Sequence, residues 1–245
     1  MREGIKILIA LVVLCYSCKT VTVNNDNQII SDSQPQLGAI GFLESRLVLE
    51  KEIKRHTFKT VMLPSLESKI RLELHKEKFD KKRYTAYLNT SPKNEYQVSY
   101  IDSISTKPEF LSLQLSDRLE YIEHLKGDVK LINYLKDKPE LQSVTSISIV
   151  VKPELVSFFN NAESIFLVYD KKLKEYHIEL MEYSGAKQKV YFNDVIVFAF
   201  NTSGFCWGAN YKRQVELKML SDGGCSKGLK KKATRVNIEK DYLNF

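Results

Sequence analysis

Ser164-Ile165-Phe166-Leu167-Val168-Tyr169-Asp170-Lys171-Lys172-Leu173-Lys174-Glu175-Tyr176-His177-Ile178-Glu179-Leu180-Met181-Glu182-Tyr183 holds two apolar-rich runs around a lysine-rich break. Ile165–Tyr169 and Tyr176–Tyr183 have the length and the aromatic and β-branched content of strands. The polar connection Asp170–Lys174 reads as a hairpin loop. The pattern then repeats in Gln188–Phe192 and Val195–Asn201, joined through Ser184-Gly185-Ala186 and Asn193-Asp194. Sequential hairpins of this kind build an antiparallel sheet, and Gln214–Leu220 offers a further strand before the turn Ser221-Asp222-Gly223-Gly224.

Upstream of this stretch the period changes. Val144–Val151 is strongly β-branched and reads as a central strand. Pro153 stands where a first helical turn tolerates proline, so a helix is expected over Glu154–Asn160. Ser116-Asp117 can cap a helix over Arg118–Lys126, with Leu119, Ile122 and Leu125 on its apolar face and Gly127 at its end. A second helix starts at Asp128 with Val129, Ile132 and Leu135 inward, and Pro139 stops it. Glu109–Leu115, Tyr96–Tyr100, Tyr84–Leu88, Lys69–His75 and Thr57–Leu63 read as strands, the first third forming a meander. Within Gly38–Leu63, Leu43, Leu47 and Glu50 also fit a helix. The expected fold class is α+β: a mostly antiparallel β-sheet with two or three helices inserted mid-chain. The expected domain runs over residues 39–245, with a subdivision allowed near residue 105, and no fixed-period repeat appears.

The N-terminus has a separate character. Arg2 and Lys6 precede Ile7–Tyr16, ten uncharged apolar residues. As a helix that run reaches about 15 Å, roughly half a hydrocarbon core, which suits a signal segment and not a span. Charged start, short apolar run and Ser17-Cys18 resemble a bacterial lipoprotein signal. The resemblance covers the first 18 residues. It implies cleavage after Ser17, residues 1–17 as signal peptide and a diacylglycerol on Cys18. Cys15 is a poorer acceptor, because Leu14 before it is too large for the cleavage position. Cys15-Tyr16-Ser17 also satisfies an A-x-A-like rule for ordinary secretion, so a secreted soluble product is the alternative. Residues 18–38 then read as lipidated cysteine plus flexible tether, rich in Asn, Asp, Ser and Gln, within which Thr20–Val23 admits a first strand. Lys19 is not the acid that retains enterobacterial lipoproteins in the inner membrane, and Lys19-Thr20-Val21 does not resemble acidic surface-export tags of the Bacteroidetes group. The resemblance therefore implies an outer membrane, facing the periplasm.

Charge bounds the partners. The chain carries +7. Removing Arg2, Lys6 and Glu3 with the leader leaves 35 bases and 29 acids, a net +6. An exported protein of this charge suits anionic lipid, lipopolysaccharide or glycan, and no nucleic acid is expected. The most basic run is Lys227–Arg235, where Lys227, Lys230, Lys231, Lys232 and Arg235 are candidates for membrane or anionic contact. Asp102-Ser103-Ile104 resembles the tripeptide at which Bacteroidetes organisms O-glycosylate exported proteins, which marks Ser103.

Three chemistries can be weighed. After cleavage the cysteines are Cys18, Cys206 and Cys225. With Cys18 acylated, Cys206 and Cys225 are free to form a disulfide closing a 20-residue loop. Alternatively Cys206, in Gly204-Phe205-Cys206-Trp207-Gly208, is a nucleophile with His177 as its base. Third, carboxylates among Asp170, Glu179, Glu182 and Asp194 could pair for glycoside hydrolysis, which requires a separation of about 5–10 Å. His56, His75, His124 and His177 have no HExxH spacing, and no metal or cofactor is expected. GxxxxGK[ST], GxGxxG and GxSxG do not occur. The reading favoured by the sequence is a lipid-anchored cell-envelope protein with a non-catalytic domain that binds a protein, peptide or glycan. The alternatives are an envelope hydrolase using Cys206 or a carboxylate pair, and an immunity-type inhibitor of an envelope toxin.

Overall fold

The computed structural model describes residues 20–48, 53–90 and 98–237. Among these, twelve strands are present: β1 Thr20–Val23, β2 Asp26–Ile30, β3 Ile40–Val48, β4 Ile53–Met62, β5 Ile70–Lys78, β6 Glu109–Leu115, β7 Gln142–Val151, β8 Ala162–Asp170, β9 Glu175–Glu182, β10 Lys187–Tyr191, β11 Val195–Ala209 and β12 Val215–Ser221. Four helices accompany them: α1 Lys81–Thr90, α2 Arg118–Gly127, α3 Val129–Lys136 and α4 Pro153–Asn161. The strands form one antiparallel sheet in the order β1-β2-β11-β7-β6-β5-β8-β9-β10. β12 adds to β11, and the β3–β4 hairpin adds to the start of β7. The α+β class with a dominant antiparallel sheet is the one the sequence implies. Strands from both sides of residue 105 join this sheet.

The hairpin β8–β9 aligns Leu167 with Ile178 and Ile165 with Leu180, all four buried. Asp170 holds its loop by accepting hydrogen bonds from the amides of Lys172 and Leu173, at 2.8 and 3.1 Å. Those two amides keep its carboxyl below the usual carboxylate range. β7 and β11 lie at the centre, and both their faces are covered. Ile147, Ile149, Val197, Phe200 and Trp207 enter the main core. Val150, Ile196, Phe198 and Ala199 enter a second cluster on the opposite face. This double burial explains why the two strands read as near-continuous apolar runs.

The second cluster overturns two readings. Of the expected tether 18–38, the described residues 20–38 are folded: Thr20–Val23 and Asp26–Ile30 pair as a hairpin, and Ile29 and Ile30 pair with Phe200 and Ala199 of β11. Val21 and Val23 are fully buried against the aromatic group of Phe79, Phe110 and Phe198. The turn is Asn24-Asn25, with φ of 48° and 65°. Asparagine tolerates this left-handed conformation, and two such residues match a two-residue hairpin turn. Gln28, also buried, reaches across β11, donating to Ser146 Oγ (2.9 Å) and accepting from Ser148 Oγ (2.6 Å).

Tyr84–Leu88 is likewise not a strand but the middle of α1. Alternation and helical spacing both fit these few residues, and the cap decides. The Asp80 carboxylate accepts from the Arg83 amide at 2.7 Å, and Tyr87 and Ala86 bury on Phe79 and Phe198. Tyr96 and Gln97 lie outside the described residues, and Val98–Tyr100 form no strand. Within Gly38–Leu63 the described residues form β3 and β4, with Leu43 and Leu47 on a strand and not a helix, and Glu50 lies outside the described residues.

The expected caps are present on α2 and α3: Asp117 accepts from the Glu120 amide and Asp128 from the Leu131 amide. The inward faces differ from expectation. Tyr121, Ile122 and Leu125 are buried on α2 and Leu131 and Leu135 on α3, while Leu119 and Val129 are more than two-thirds exposed. Tyr121 sets the rotation of α2. Its hydroxyl donates to the Gly38 carbonyl at 2.7 Å and meets Ser143 Oγ at 2.9 Å, a polar anchor that apolar spacing does not reveal. Burial drives its phenol pKa upward. α2 is fastened along β12 by two ion pairs, Lys126 on Glu216 near the strand's start (2.7 Å) and Arg118 on Asp222 just past its end (3.0 Å).

Candidate functional site

β11 is longer than the sequence implied. It runs on through Phe205, Cys206 and Trp207, where β12 pairs with it across an irregular register between Cys206 and Trp207. Cys206 is joined to Cys225 by a disulfide, with Cα atoms 5.6 Å apart. The chain after Cys225 returns to β11. The Trp207 amide donates to the Lys230 carbonyl (2.8 Å), and the Lys230 amide donates back to the Trp207 carbonyl (2.9 Å). Gly204 pairs with both Gln142 of β7 and Ser221 of β12, so these strands flank β11 on opposite sides. β7 begins at Gln142. Lys230 therefore takes the edge that β7 leaves vacant, while Leu217 occupies the other edge of Trp207.

Between the disulfide and this bridge, Leu229 packs over Gly208, where any Cβ would fall 2.7 Å from Leu229 Cδ2. Beyond the bridge, buried Ala233 and partly buried Val236 fix the next turn on the core. The result is a groove of about 450 Å³ lined by Pro139, Cys225, Leu229, Lys230, Lys231, Lys232 and Arg235. The four bases are exposed, and among the described residues no carboxylate forms an ion pair with any of them. Of the five basic residues marked in the sequence, four converge here and Lys227 does not line the groove. Pro139 and Leu229, distant in sequence, carried no signal.

A second hollow of about 470 Å³ opens where β5 parts from β8, beyond the pair Leu72–Ile165. Its charged lining is mixed: Arg71, Glu73 and Glu163.

The structure does not assemble the Cys206–His177 pair. The sulfur of Cys206 is bonded to Cys225, the residue is buried, and five strand spacings separate β11 from β9, about 24 Å across the sheet. His177 is buried beside the Tyr191 ring at 5.7 Å, and neither ring nitrogen has a hydrogen-bond partner. Burial, reinforced by Lys189, lowers its pKa. The carboxylates considered for hydrolysis have structural partners. Asp170 caps its loop, Glu179 meets Lys69 at 3.3 Å, and Asp194 meets Lys152 at 2.9 Å. Glu182 accepts from Ser184 Oγ at 3.5 Å. Ser103 lies in an exposed loop beside Asp102, whose carboxylate accepts from the Tyr100 hydroxyl at 2.8 Å. Cys18 lies outside the described residues. No helix among those described is long and apolar enough to cross a membrane. Compared with family models, curated proteins and solved structures, the chain matches none.

Proposed function

We propose that this chain is a lipid-anchored protein of the bacterial cell envelope, attached through Cys18, whose domain binds a ligand without covalent chemistry. The observation that carries the reading is the Cys206–Cys225 bond. Disulfides of this kind persist in oxidising compartments, which supports export. The same bond occupies the sulfur that a cysteine hydrolase would need. The basic groove built on it supplies a fixed, open, charged surface suited to binding. The leader supports an outer-membrane attachment facing the periplasm, with an envelope protein or glycan as partner.

Cell fractionation tests the anchor. Wild-type protein should sediment with membranes and be released by detergent, and Cys18→Ser should appear in the soluble fraction. Continued membrane association of Cys18→Ser would sink the proposal. Thiol titration of the purified, non-reduced protein tests the rest: Cys206 and Cys225 should remain unreactive until reduced.

A further inference from the structure

We infer that the groove beside the disulfide is a binding site for an anionic glycan, a sugar chain bearing phosphate, sulfate or carboxylate groups. The inference names the ligand of the binding domain proposed above and rests on that reading for its compartment. Lys230, Lys231, Lys232 and Arg235 line one concave surface together with Pro139 and Leu229. Lys230 is held by the two-way backbone bridge to Trp207, and Cys225 by its disulfide. The backbone that carries the charges is thus fastened before any ligand arrives, which lowers the part of the ordering cost that the main chain would otherwise add.

Three features select the occupant. First, both edges of β11 are filled at Trp207, by Leu217 and Lys230, so a peptide cannot add here as a strand. Second, the site is a hollow of about 450 Å³ and not a plane, so a flat bilayer would meet its rim, whereas a sugar chain can enter it and place successive anions against the bases that line it. Third, the groove stands apart from the point where the anchored chain enters the fold. Thr20 pairs with Ile29, which pairs with Phe200, seven residues and about 23 Å along β11 from Trp207.

The test uses the full chain in neutral detergent, with heparin and polygalacturonate as sulfated and carboxylated probes and dextran as the neutral control. The groove variant is Lys231→Gln/Lys232→Gln/Arg235→Gln. A control of equal charge change is Lys81→Gln/Lys171→Gln/Lys172→Gln, all exposed and outside the groove. Binding of at least one anionic probe should weaken about tenfold in the groove variant at physiological salt and less than about twofold in the control, and should fall as salt rises. Dextran should not bind. Equal weakening in both variants would reduce the effect to net charge and overturn the site. Groove-dependent binding to phosphatidylglycerol–phosphatidylcholine vesicles without glycan binding would assign the surface to lipid and overturn it. Poly-glutamate binding at least as tightly as the glycans would assign it to an acidic protein. Unchanged melting temperature and protected thiols in both variants confirm that each is folded. Fractionation of Cys18→Ser reads the anchor independently, so loss of the glycan site would leave the envelope assignment standing.

Discussion

Trp207 and Lys230 exchange a reciprocal pair of backbone hydrogen bonds, 2.8 and 2.9 Å long, at the edge of β11 that β7 leaves open. This pairing turns a lysine-rich tail segment into part of the sheet. The disulfide one residue back on β11 closes the other side of the same loop.

Replacing both Cys206 and Cys225 by alanine should therefore lower stability by about 3 kcal/mol, the loop-closure value for a 20-residue ring. Urea unfolding measures the loss. Hydrogen exchange at the Lys230 amide should accelerate by more than that at Val197 in central β11, because the loop is no longer closed at Cys225.

Glycine substitutions should separate two kinds of close approach. In Gly41→Ala the new Cβ would lie 2.0 Å from the Lys59 carbonyl oxygen, a backbone atom in the paired strand. The β3–β4 pairing must distort, at a cost of about 3 kcal/mol or more. In Gly208→Ala the contacts are side-chain ends, Leu229 Cδ2 at 2.7 Å and Lys218 Cγ at 3.1 Å. A loss of about 1 kcal/mol is expected there, with Leu229 displaced in the groove. Denaturant midpoints of the two variants check the order.

The N-terminal hairpin should behave as core. Val21→Ala and Val23→Ala should each cost about 2 kcal/mol, since both side chains are fully buried. Thr22→Ala, on the opposite exposed side of β1, should cost less than about 0.5 kcal/mol. Equal, negligible effects at all three positions would restore the tether reading.

His177 should make stability depend on pH. Its folded-state pKa is depressed, so below the ordinary imidazole value the unfolded chain binds a proton that the folded chain refuses. Stability is full above that value and falls as pH drops from about 6.5 toward the lowered folded pKa. His177→Phe should flatten this part of a stability-versus-pH curve. A second loss should come at lower pH through Glu216, whose carboxyl is held below its usual range by hydrogen bonds from Lys126 and Lys218. Its contribution is present above the ordinary carboxylate pKa and disappears as pH falls through the folded value.

Gln28→Leu should cost about 1–3 kcal/mol, because Ser146 and Ser148 would keep their burial and lose their partner. Chemical denaturation of the variant, compared with Gln28→Leu in a Ser146→Ala/Ser148→Ala background, checks the coupling.

Much of the framework is local and was readable as such. Alternation in Lys69–His75, the caps Asp117 and Asp128, Pro153 at its helix start and the hairpin at Asp170–Lys174 all depend on residues a few positions apart. Period and cap together specify a helix or strand wherever they agree. Where both periods fit, as in Tyr84–Leu88, only the Asp80 cap and the aromatic neighbours Phe79 and Phe198 distinguish them. Polar composition misled in residues 20–38, because Val21 and Val23 find their burial on strands far along the chain.

The sequence alone determined an antiparallel α+β framework, the cysteines able to pair and the four bases clustered at Lys230–Arg235, since each follows from near neighbours or from a count. Tertiary structure alone decided that those bases line one hollow with Pro139, that Trp207 holds Lys230, and that His177 lies five strands from Cys206. Strand order arises from burial across the whole sheet. The part of the site that Pro139 contributes, from a turn far away in sequence, therefore has no local signature.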